Sequence, residues 1–231
     1  MSKGIIIIPA YNEDRVIKGV IEGIKKEVLH SKRDLDILIV NDGSNDSTST
    51  VCKNIKGIIL ISHLINMGSG AATKTGLEYA KKINYQYAVT IDADGQHTTQ
   101  DLMNVIEKLV DDHYDLVIGS RLLNREGMPL HRVFGNKLLN LITRLLFGVS
   151  VTDSQSGLKS FSRDAIEKID IRSNGFEFCS EIVWRAKQNN LKIIEIPIKA
   201  VYTDYSLQKG QNNINALRII RNLIRHKLRE V

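Results

Sequence analysis

Five short runs of aliphatic, largely β-branched residues, at positions 4–8, 36–40, 57–62, 88–91 and 116–118, alternate with stretches whose apolar residues recur at helical spacing. That alternation is the strongest constraint on the fold. A continuous apolar run of this length reads as a strand buried on both faces, and such strands are joined through helices into a parallel sheet. In residues 16–29, Val16, Ile17, Val20, Ile21, Ile24 and Val28 share one helix face, which places Asn12 or Glu13 near its N-terminus. Further helices are expected from near Asp46, over residues 71–82 and over residues 100–112. The order βαβαβαβαβ predicts an α/β fold, a mostly parallel central sheet with helices on both faces.

The runs end in polar residues: PAYNEDR from Pro9, NDGS from Asn41, DADGQH from Asp92 and GSR from Gly119. Ligands of open parallel sheets bind outside the carboxyl ends of the strands, so these clusters outline a site. The stretch AVTIDADGQH, residues 88–97, is the most pointed of them. Where a strand frays into a loop, an i, i+2 pair such as Asp92 and Asp94 can converge on one point. Adjacent carboxylates repel unless a cation sits between them, and a hard divalent ion with oxygen ligands is the usual solution, with Gln96 as a third oxygen. The alternative is that Asp92 and Asp94 cap the helix beginning near Thr98. The glycines of NMGSGAATKTG, residues 66–76, lack the spacing of a dinucleotide fingerprint, and no P-loop GK[ST] is present.

The second half is less regular. Residues 127–136 read as a loop, 137–147 as an apolar helix ending at Gly148, and 153–159 (DSQSGLK) as a polar loop. Residues 162–169 read as a short helix, 182–188 as a helix after GFEFCSE, and 192–201 as a strand in which Pro197 points to a sheet edge. No Pro-, Gly- or Ser-rich linker divides the chain. Residues 214–231 form a candidate amphipathic helix, with Ile214, Leu217, Ile220, Ile224, Leu228 and Val231 on one side and Arg218, Arg221, Arg225, Lys227 and Arg229 supplying positive charge. Such a helix either lies on an anionic membrane surface or docks on its own domain with the basic face solvated.

With 231 residues, 42% apolar and 25% charged, the chain can bury one large core. A formal net charge of +6 suits an anionic partner, whether nucleic acid, acidic lipid or phosphorylated substrate. Cys52 and Cys179 are far apart and lack metal spacing, which fits a reducing compartment. No run reaches the ~18–20 apolar residues needed to span a bilayer, and MSKGIIII has no cleavage region, so a cytoplasmic protein is expected, with peripheral contact at the membrane face.

Taken together, PAYNE, NDGSNDST, NMGSGAA, DADGQH, GSR, DSQSGLK and FEFCSE, collinear over roughly residues 5–198, resemble the family 2 glycosyltransferases, and within them most nearly the polyprenyl-phosphate sugar synthases. The resemblance implies a GT-A fold over residues 1–213, followed by the basic helix at 214–231. It further implies a UDP- or GDP-sugar donor, Mg²⁺ or Mn²⁺, inversion at the anomeric carbon, a lipid phosphate (polyprenyl phosphate) as acceptor, and no nucleic-acid partner. By the same resemblance Pro9, Tyr11, Glu13, Asp42, Gly70, Asp92 and Ala93 contact the donor, and Asp92, Asp94 and Gln96 hold the metal. Arg121, Arg132 and Lys209 contact phosphate, and Asp94, Arg121 and Asp153 serve catalysis.

Chemistry agrees with that assignment, since neutralising a departing diphosphate is where such a reaction gains most, and Arg offers a planar fork that stays charged. Several residues keep second readings: Tyr11 as core, Glu13 as a first-turn helix charge, and Asp153 as base, acceptor-orienting group or turn residue. Glu181 reads as helix-face charge or active-site floor, and Trp184 as core. The chain departs from the family at Asn41, where many relatives carry Asp, and in residues 202–213, where YTDYSLQKGQNN replaces an Arg and a Gly-x-Ser-Lys element. There Lys209 stands in for phosphate contact beside Tyr205 and Ser206, and the polar run reads as a lid. It also lacks the C-terminal transmembrane helices of many relatives. Other readings are the same donor chemistry on a saccharide hydroxyl, a nucleotidyltransferase, against which PAYNEDR argues by lacking a Gly-rich first loop, and a non-catalytic scaffold.

Overall fold

A computed structural model describes residues 3–125, 128–199, 201 and 219–225. The elements run β1 (Gly4–Ala10), α1 (Ile17–His30), β2 (Leu35–Asn41), α2 (Thr48–Lys53), β3 (Ile59–Ser62), α3 (Ser69–Ile83), β4 (Tyr87–Thr90) and α4 (Thr99–Asp111). They continue as β5 (Leu116–Ser120), α5 (Leu130–Phe147), β6 (Lys159–Ser162), α6 (Arg163–Lys168), α7 (Phe178–Gln188) and β7 (Ile193–Pro197). All the strands join one sheet in the order β3-β2-β1-β4-β6-β5-β7. Every pairing is parallel except those of β6, which runs antiparallel to β4 and to β5. The expected α/β sheet with helices on both faces is present.

The strands explain their own composition. Ile5 and Ile7 face one core with Leu38, Val40, Ala88 and residues of α3 and α7. Ile6 and Ile8 face the other with Ile37, Ile39, Val89 and residues of α1 and α4. Because both faces are covered, the strand needs no polar alternation. All four isoleucines are 0% exposed, and at about 1.5–3 kcal/mol per fully buried side chain they make β1 a principal source of the sheet's stability.

The structure corrects the sequence reading at several places. Pro9, Ala10, Asn41, Gly119 and Ser120, expected in loops, are the last residues of their strands, with Pro9 opposite Val40. Residues 159–162, read as loop and helix start, form β6. Its residues Lys159, Ser160 and Phe161 are buried because strands flank them on both sides, which their own polarity does not announce. Residues 130–136 are helical: Pro129 caps α5, accepting from the N–H groups of Arg132 and Val133, and Gly135 sits inside the helix with open space where a side chain would be. Pro197 ends β7, the edge strand.

Residues 219–225 are helical, and Ile219 and Leu223 are 2% and 1% exposed within the core that holds Trp184 and Phe147. Asn222 donates to Glu177 at 3.2 Å. This segment therefore docks on the domain, but by a face offset from the expected one: Ile220 packs only partly and Ile224 is 43% exposed. Paired apolar residues at 219–220 and 223–224 support either face, and burial against the domain selects the inner one. Lys209, the expected lid at 202–213 and the remaining residues of the expected terminal stripe lie outside the described residues. No helix among the described residues is long and apolar enough to cross a membrane.

Candidate active site

At the carboxyl edge of the sheet the first two polar loops lock together. Asn12, whose φ of 55° is left-handed, donates its N–H to Ser44 Oγ at 3.0 Å, and its side-chain oxygen accepts from Asn45 N–H at 2.9 Å. Glu13 N–H donates to Thr48 Oγ1 at 2.8 Å, and Asp14 and Asp46 bond the opposite loop in turn. The result leaves Tyr11 37% exposed, outside the core, while Glu13 is buried and its carbonyl accepts from the N–H groups of Val16 and Ile17.

Asp92 and Asp94 follow β4. Neither caps α4; its cap is Thr98, which accepts from Asp101 N–H. Asp94 Oδ1 accepts from Gln96 N–H at 3.0 Å, and Asp92 Oδ2 lies 3.3 Å from Nε2 of His97, a ring only 1% accessible. Although 49% of the Asp92 side chain remains accessible, the protein around it pushes its carboxyl up; the hydrogen bond and charge of His97, with Arg121 and Lys159 beyond, outweigh this and hold it below the usual carboxylate range. Asp94 goes the other way, pushed up to about 6 by burial and by the charge of Asp92, with Glu13 adding to the effect. The two carboxylates repel each other across a short gap.

That donor set fits a hard divalent cation: two carboxylates with a raised and a lowered affinity for protons, and a buried amide at Gln96, leaving remaining coordination to a ligand's oxygens and water. Among the described residues no cluster of three His, Cys, Asp or Glu side chains could hold a metal ion unaided. Gly157 marks how closely the chain approaches here. A Cβ at this position would stand 2.2 Å from both Asp92 oxygens, so the glycine lets the 153–159 loop pack directly onto the carboxylate.

Behind the acidic pair lies a second, buried set. Asp153 is 0% exposed and accepts three bonds from Arg121, from N–H at 3.1 Å, Nε at 2.7 Å and Nη2 at 2.9 Å. Burial opposes its charge, but the Arg121 guanidinium and its hydrogen bonds hold the carboxyl below its ordinary range. Asp153, expected as a base, an acceptor-orienting group or a turn residue, is thus enclosed and bonded to Arg121, an arrangement that orients the guanidinium. Glu195 on β7 fastens the same loop, accepting from Thr152 N–H and Oγ1 and from Asp153 N–H. Lys159, 1% exposed, is held by the carbonyls of Ser154 and Ser156. His97, Glu195 and Lys159 were not singled out from sequence; only the DADGQH and DSQSGLK motifs that contain two of them carried a signal.

Asp42, Gly70 and Glu181 prove to be internal fasteners. Asp42, 2% exposed, bonds His63 Nδ1 at 2.7 Å and accepts from the N–H groups of Met67 and Gly68 at 2.9 and 2.8 Å, so its carboxylate shapes the 63–68 loop. Gly70 N–H donates to the carbonyl of Asn174 at 2.8 Å, and a Cβ there would meet Ser173 O at 2.2 Å. Glu181 holds that opposing strand of chain by accepting from Arg172 and Ser173 N–H at 3.0 and 2.8 Å. It is buried and so is not a solvated helix-face charge. Asp42 and Gly70, both expected at the donor, are bonded to the 63–68 loop and to Asn174 respectively. Ala93 is buried, Pro9 ends β1, and Arg132 is half-buried in the first turn of α5. Trp184 is core, packed on Phe147 at 4.7 Å between ring centroids.

The comparisons agree with this architecture. The chain is 38% identical over 247 residues, covering 98% of its length and 96% of the relative, to the UDP-N-acetylglucosamine–dolichyl-phosphate N-acetylglucosaminyltransferase of Methanococcus voltae. It is 29% identical to the polyprenol monophosphomannose synthase of Mycolicibacterium smegmatis, over 89% of the chain and 80% of that protein. The crystal structure of glucosyl-3-phosphoglycerate synthase from Mycobacterium tuberculosis with Mn²⁺, uridine diphosphate and phosphoglyceric acid superposes with a TM-score of 0.75 at 17% identity, covering 96% of this chain and 76% of that one, which shows a shared fold. The family model for glycosyl transferase family 2 matches residues 5–170. With the two carboxylates at the end of β4 and the half-buried Arg121 beyond them, the chain belongs to family 2 of the glycosyltransferases, most similar there to the polyprenyl-phosphate sugar synthases, and is a glycosyltransferase.

Proposed function

We propose that this glycosyltransferase moves a hexose, with inversion and with the help of Mg²⁺ or Mn²⁺, from a nucleoside-diphosphate sugar to a polyprenyl phosphate at the cytoplasmic face of a membrane. The observation that carries the reading is the condition of Asp153. A saccharide hydroxyl sheds its proton as it attacks and needs a base, whereas a phosphate monoester is already ionised and needs a cation. Asp153 is enclosed and committed to Arg121, and Arg121 is the cation that its carboxylate orients. Two relatives bear names in which the acceptor or product is a polyprenyl or dolichyl phosphate, which supports the same choice.

In the proposed reaction an oxygen of the acceptor phosphate attacks the anomeric carbon from the side opposite the diphosphate. The new C–O bond forms as the bond to the leaving oxygen breaks, and the electron pair departs with the nucleoside diphosphate. Asp92, Asp94 and Gln96 would hold the cation, which when bound supplies neutralisation of the diphosphate. Arg121, with Arg132 and Lys209, binds phosphate. Tyr11 and Glu13 contact base and ribose with Pro9 and Ala93 lining them, and Asp42 and Gly70 hold the loops that shape this part of the site.

The test is transfer of radiolabel from UDP-N-acetylglucosamine to dolichyl phosphate in detergent with Mn²⁺, followed by partition into organic solvent. Label is expected in the organic phase and lost on chelation. Label transferred only to water-soluble saccharides would replace the acceptor, and transfer indifferent to chelator would remove the metal. If this donor fails, the same assay with UDP-glucose and GDP-mannose decides among donors.

A further inference from the structure

His97 takes no part in the proposed reaction, yet it touches the acidic pair. Its side chain is 1% accessible, so it does not meet donor or acceptor directly. Of its two ring nitrogens, Nε2 lies 3.3 Å from Asp92 Oδ2, while Nδ1 is buried with no hydrogen-bond partner among the described residues. An ionised carboxylate only accepts, so Nε2 carries the hydrogen and donates. A buried polar atom without a partner costs stability, and an apolar side chain of similar size would avoid that cost. Packing alone therefore does not call for histidine here; the bond to Asp92 does.

The chain that carries the ring is braced. Gln96 N–H donates to Asp94 Oδ1 at 3.0 Å, the Gln96 carbonyl accepts from Val201 N–H at 2.9 Å, and Thr98 Oγ1 accepts from Asp101 N–H at 3.0 Å. Asp101 Oδ2 accepts in addition from Lys199 N–H at 3.1 Å. His97 thus stands on a fixed span and reaches back to Asp92. A second wall confines the same carboxylate: Gly157, where a Cβ would stand 2.2 Å from both oxygens, is held by the bond from Thr90 Oγ1 to its carbonyl at 2.8 Å. The terminal torsion of an aspartate is broad, so one directional bond decides how its carboxylate plane is turned. Among the described residues no hydrogen bond reaches Asp92 Oδ1, and about half of the side chain is accessible. We infer that His97 is a positioning residue for the cation, its Nε2–H bond fixing the plane of the Asp92 carboxylate and leaving Oδ1 to the metal. This role rests on the proposed metal reading of Asp92 and Asp94 and adds to it the residue that sets a ligand's orientation.

The full chain is titrated with Mn²⁺ in the presence of UDP, with free Mn²⁺ read by electron paramagnetic resonance, and each variant is also melted. His97→Phe keeps a buried ring and removes the donor; it is expected to melt at or above the wild-type temperature and to bind Mn²⁺ about tenfold or more weakly. His97→Gln places its amide nitrogen near the position of Nε2 and should bind within about threefold of wild type. His97→Asn, whose amide falls near the position of Nδ1 and short of Asp92, should bind as weakly as His97→Phe. In transfer assays the Mn²⁺ concentration for half-maximal turnover should rise about tenfold with His97→Phe, while kcat at saturating Mn²⁺ changes far less. Should His97→Phe not fold, the contrast between His97→Gln and His97→Asn decides alone. Wild-type Mn²⁺ affinity in folded His97→Phe or His97→Asn, no recovery in folded His97→Gln, or loss of the folded state in all three, which would make His97 structural, overturns the inference. A wild type that binds no Mn²⁺ with UDP removes the metal reading and this role with it. A wild type that binds, with His97 variants indifferent, keeps that reading and overturns only the role of His97.

Discussion

At the end of β4 nearly half of the Asp92 side chain is accessible, whereas at Asp153, across β6, none is. The contrast extends to the regions that supply them. On the flank of β1, β2 and β4, parallel strands deliver acidic side chains to the sheet edge, where among the described residues His97 alone brings a cationic group within hydrogen-bond reach of Asp92 or Asp94. On the flank of β5, β6 and β7, ionised groups are matched internally: Asp153 to Arg121, Glu195 to the backbone of residues 152–153, Lys159 to carbonyls. One flank keeps an electrostatic debt open for a ligand, and the other closes its own so that a single guanidinium is held in place. Substitutions on the two flanks should therefore separate activity from stability.

The largest effect is expected at Asp94. Asp94→Ala should lower turnover by about 10²–10³-fold or more without lowering the melting temperature, since it removes a proposed metal ligand and not a packing group. The pH dependence sharpens this. The folded-state pKa of Asp94, about 6, lies above the ordinary value of 3.8, so its ionised form costs stability at pH values above about 6 and the cost disappears below 3.8. Asp94→Asn should then stabilise the ligand-free protein by about 1–2 kcal/mol at pH 7–8 and by nothing at pH 3. Denaturant melts at the two pH values check it, and a destabilised variant at pH 8 would break the contrast.

Asp153 should behave in the opposite sense. Asp153→Ala removes the carboxylate that fixes Arg121, which is expected to cost about 2–3 kcal/mol and to lower turnover by about 10–100-fold as the guanidinium loses its orientation. The folded pKa is depressed, so the stabilisation is present above the ordinary carboxylate range and is lost as pH falls through the folded value. Melting temperatures of wild type and Asp153→Asn should converge in strong acid and separate at neutrality. A variant as stable as wild type with intact turnover would remove the positioning role.

Gly157→Ala joins the flanks. Its Cβ would enter the space of the Asp92 oxygens, so the carboxylate must turn away or the loop must lift. Mn²⁺ titration followed by electron paramagnetic resonance in the presence of UDP should show about tenfold weaker binding, with a stability loss of about 1 kcal/mol. Since no three-carboxylate cluster is built among the described residues, wild-type binding should itself tighten when UDP is added. Equal Mn²⁺ affinity in the variant would mean that Asp92 is not a ligand.

The same two flanks differ in how much of them could be read from residues alone. β1, β2 and β4 announce themselves, because buried parallel strands are apolar throughout and stop where polar residues begin. The convergence of Asp92 and Asp94 needs only one strand end. β6 is different: Lys159, Ser160 and Ser162 look like loop, and become strand only because β4 and β5 reach them from both sides. Arg121 and Asp153 are 32 residues apart and meet through that pairing, and Glu195 reaches the loop from a strand further on. Asp42 stands out in the sequence as a site residue, but its three bonds to the 63–68 loop are tertiary facts. Pro129 and Gly135 concealed the first two turns of α5, since each resembles a break in sequence and is tolerated, the one at a helix cap and the other on an open face.

The smallest effect compares the two thiols. Burial pushes both up to about 11: Cys52 with the charge of Asp46 adding, and Cys179 among Lys159, Asp92, Arg121 and Asp153, whose charges alternate in sign and offset one another. Neither is a thiolate at neutral pH, so reaction with a disulfide reagent at pH 8 reports exposure by opening. Cys52 lies on α2, six residues long with only Thr48 and Cys52 buried, and beside the edge strand β3. Cys179 lies on α7, buried without interruption from Phe178 to Ala186. Cys52 should react through local opening of α2 at denaturant concentrations well below the unfolding midpoint, and Cys179 only with global unfolding. If Cys179 reacted first, the internally matched flank would be the less stable one, and the stability assigned to its ion pair would have to be sought elsewhere in the sheet.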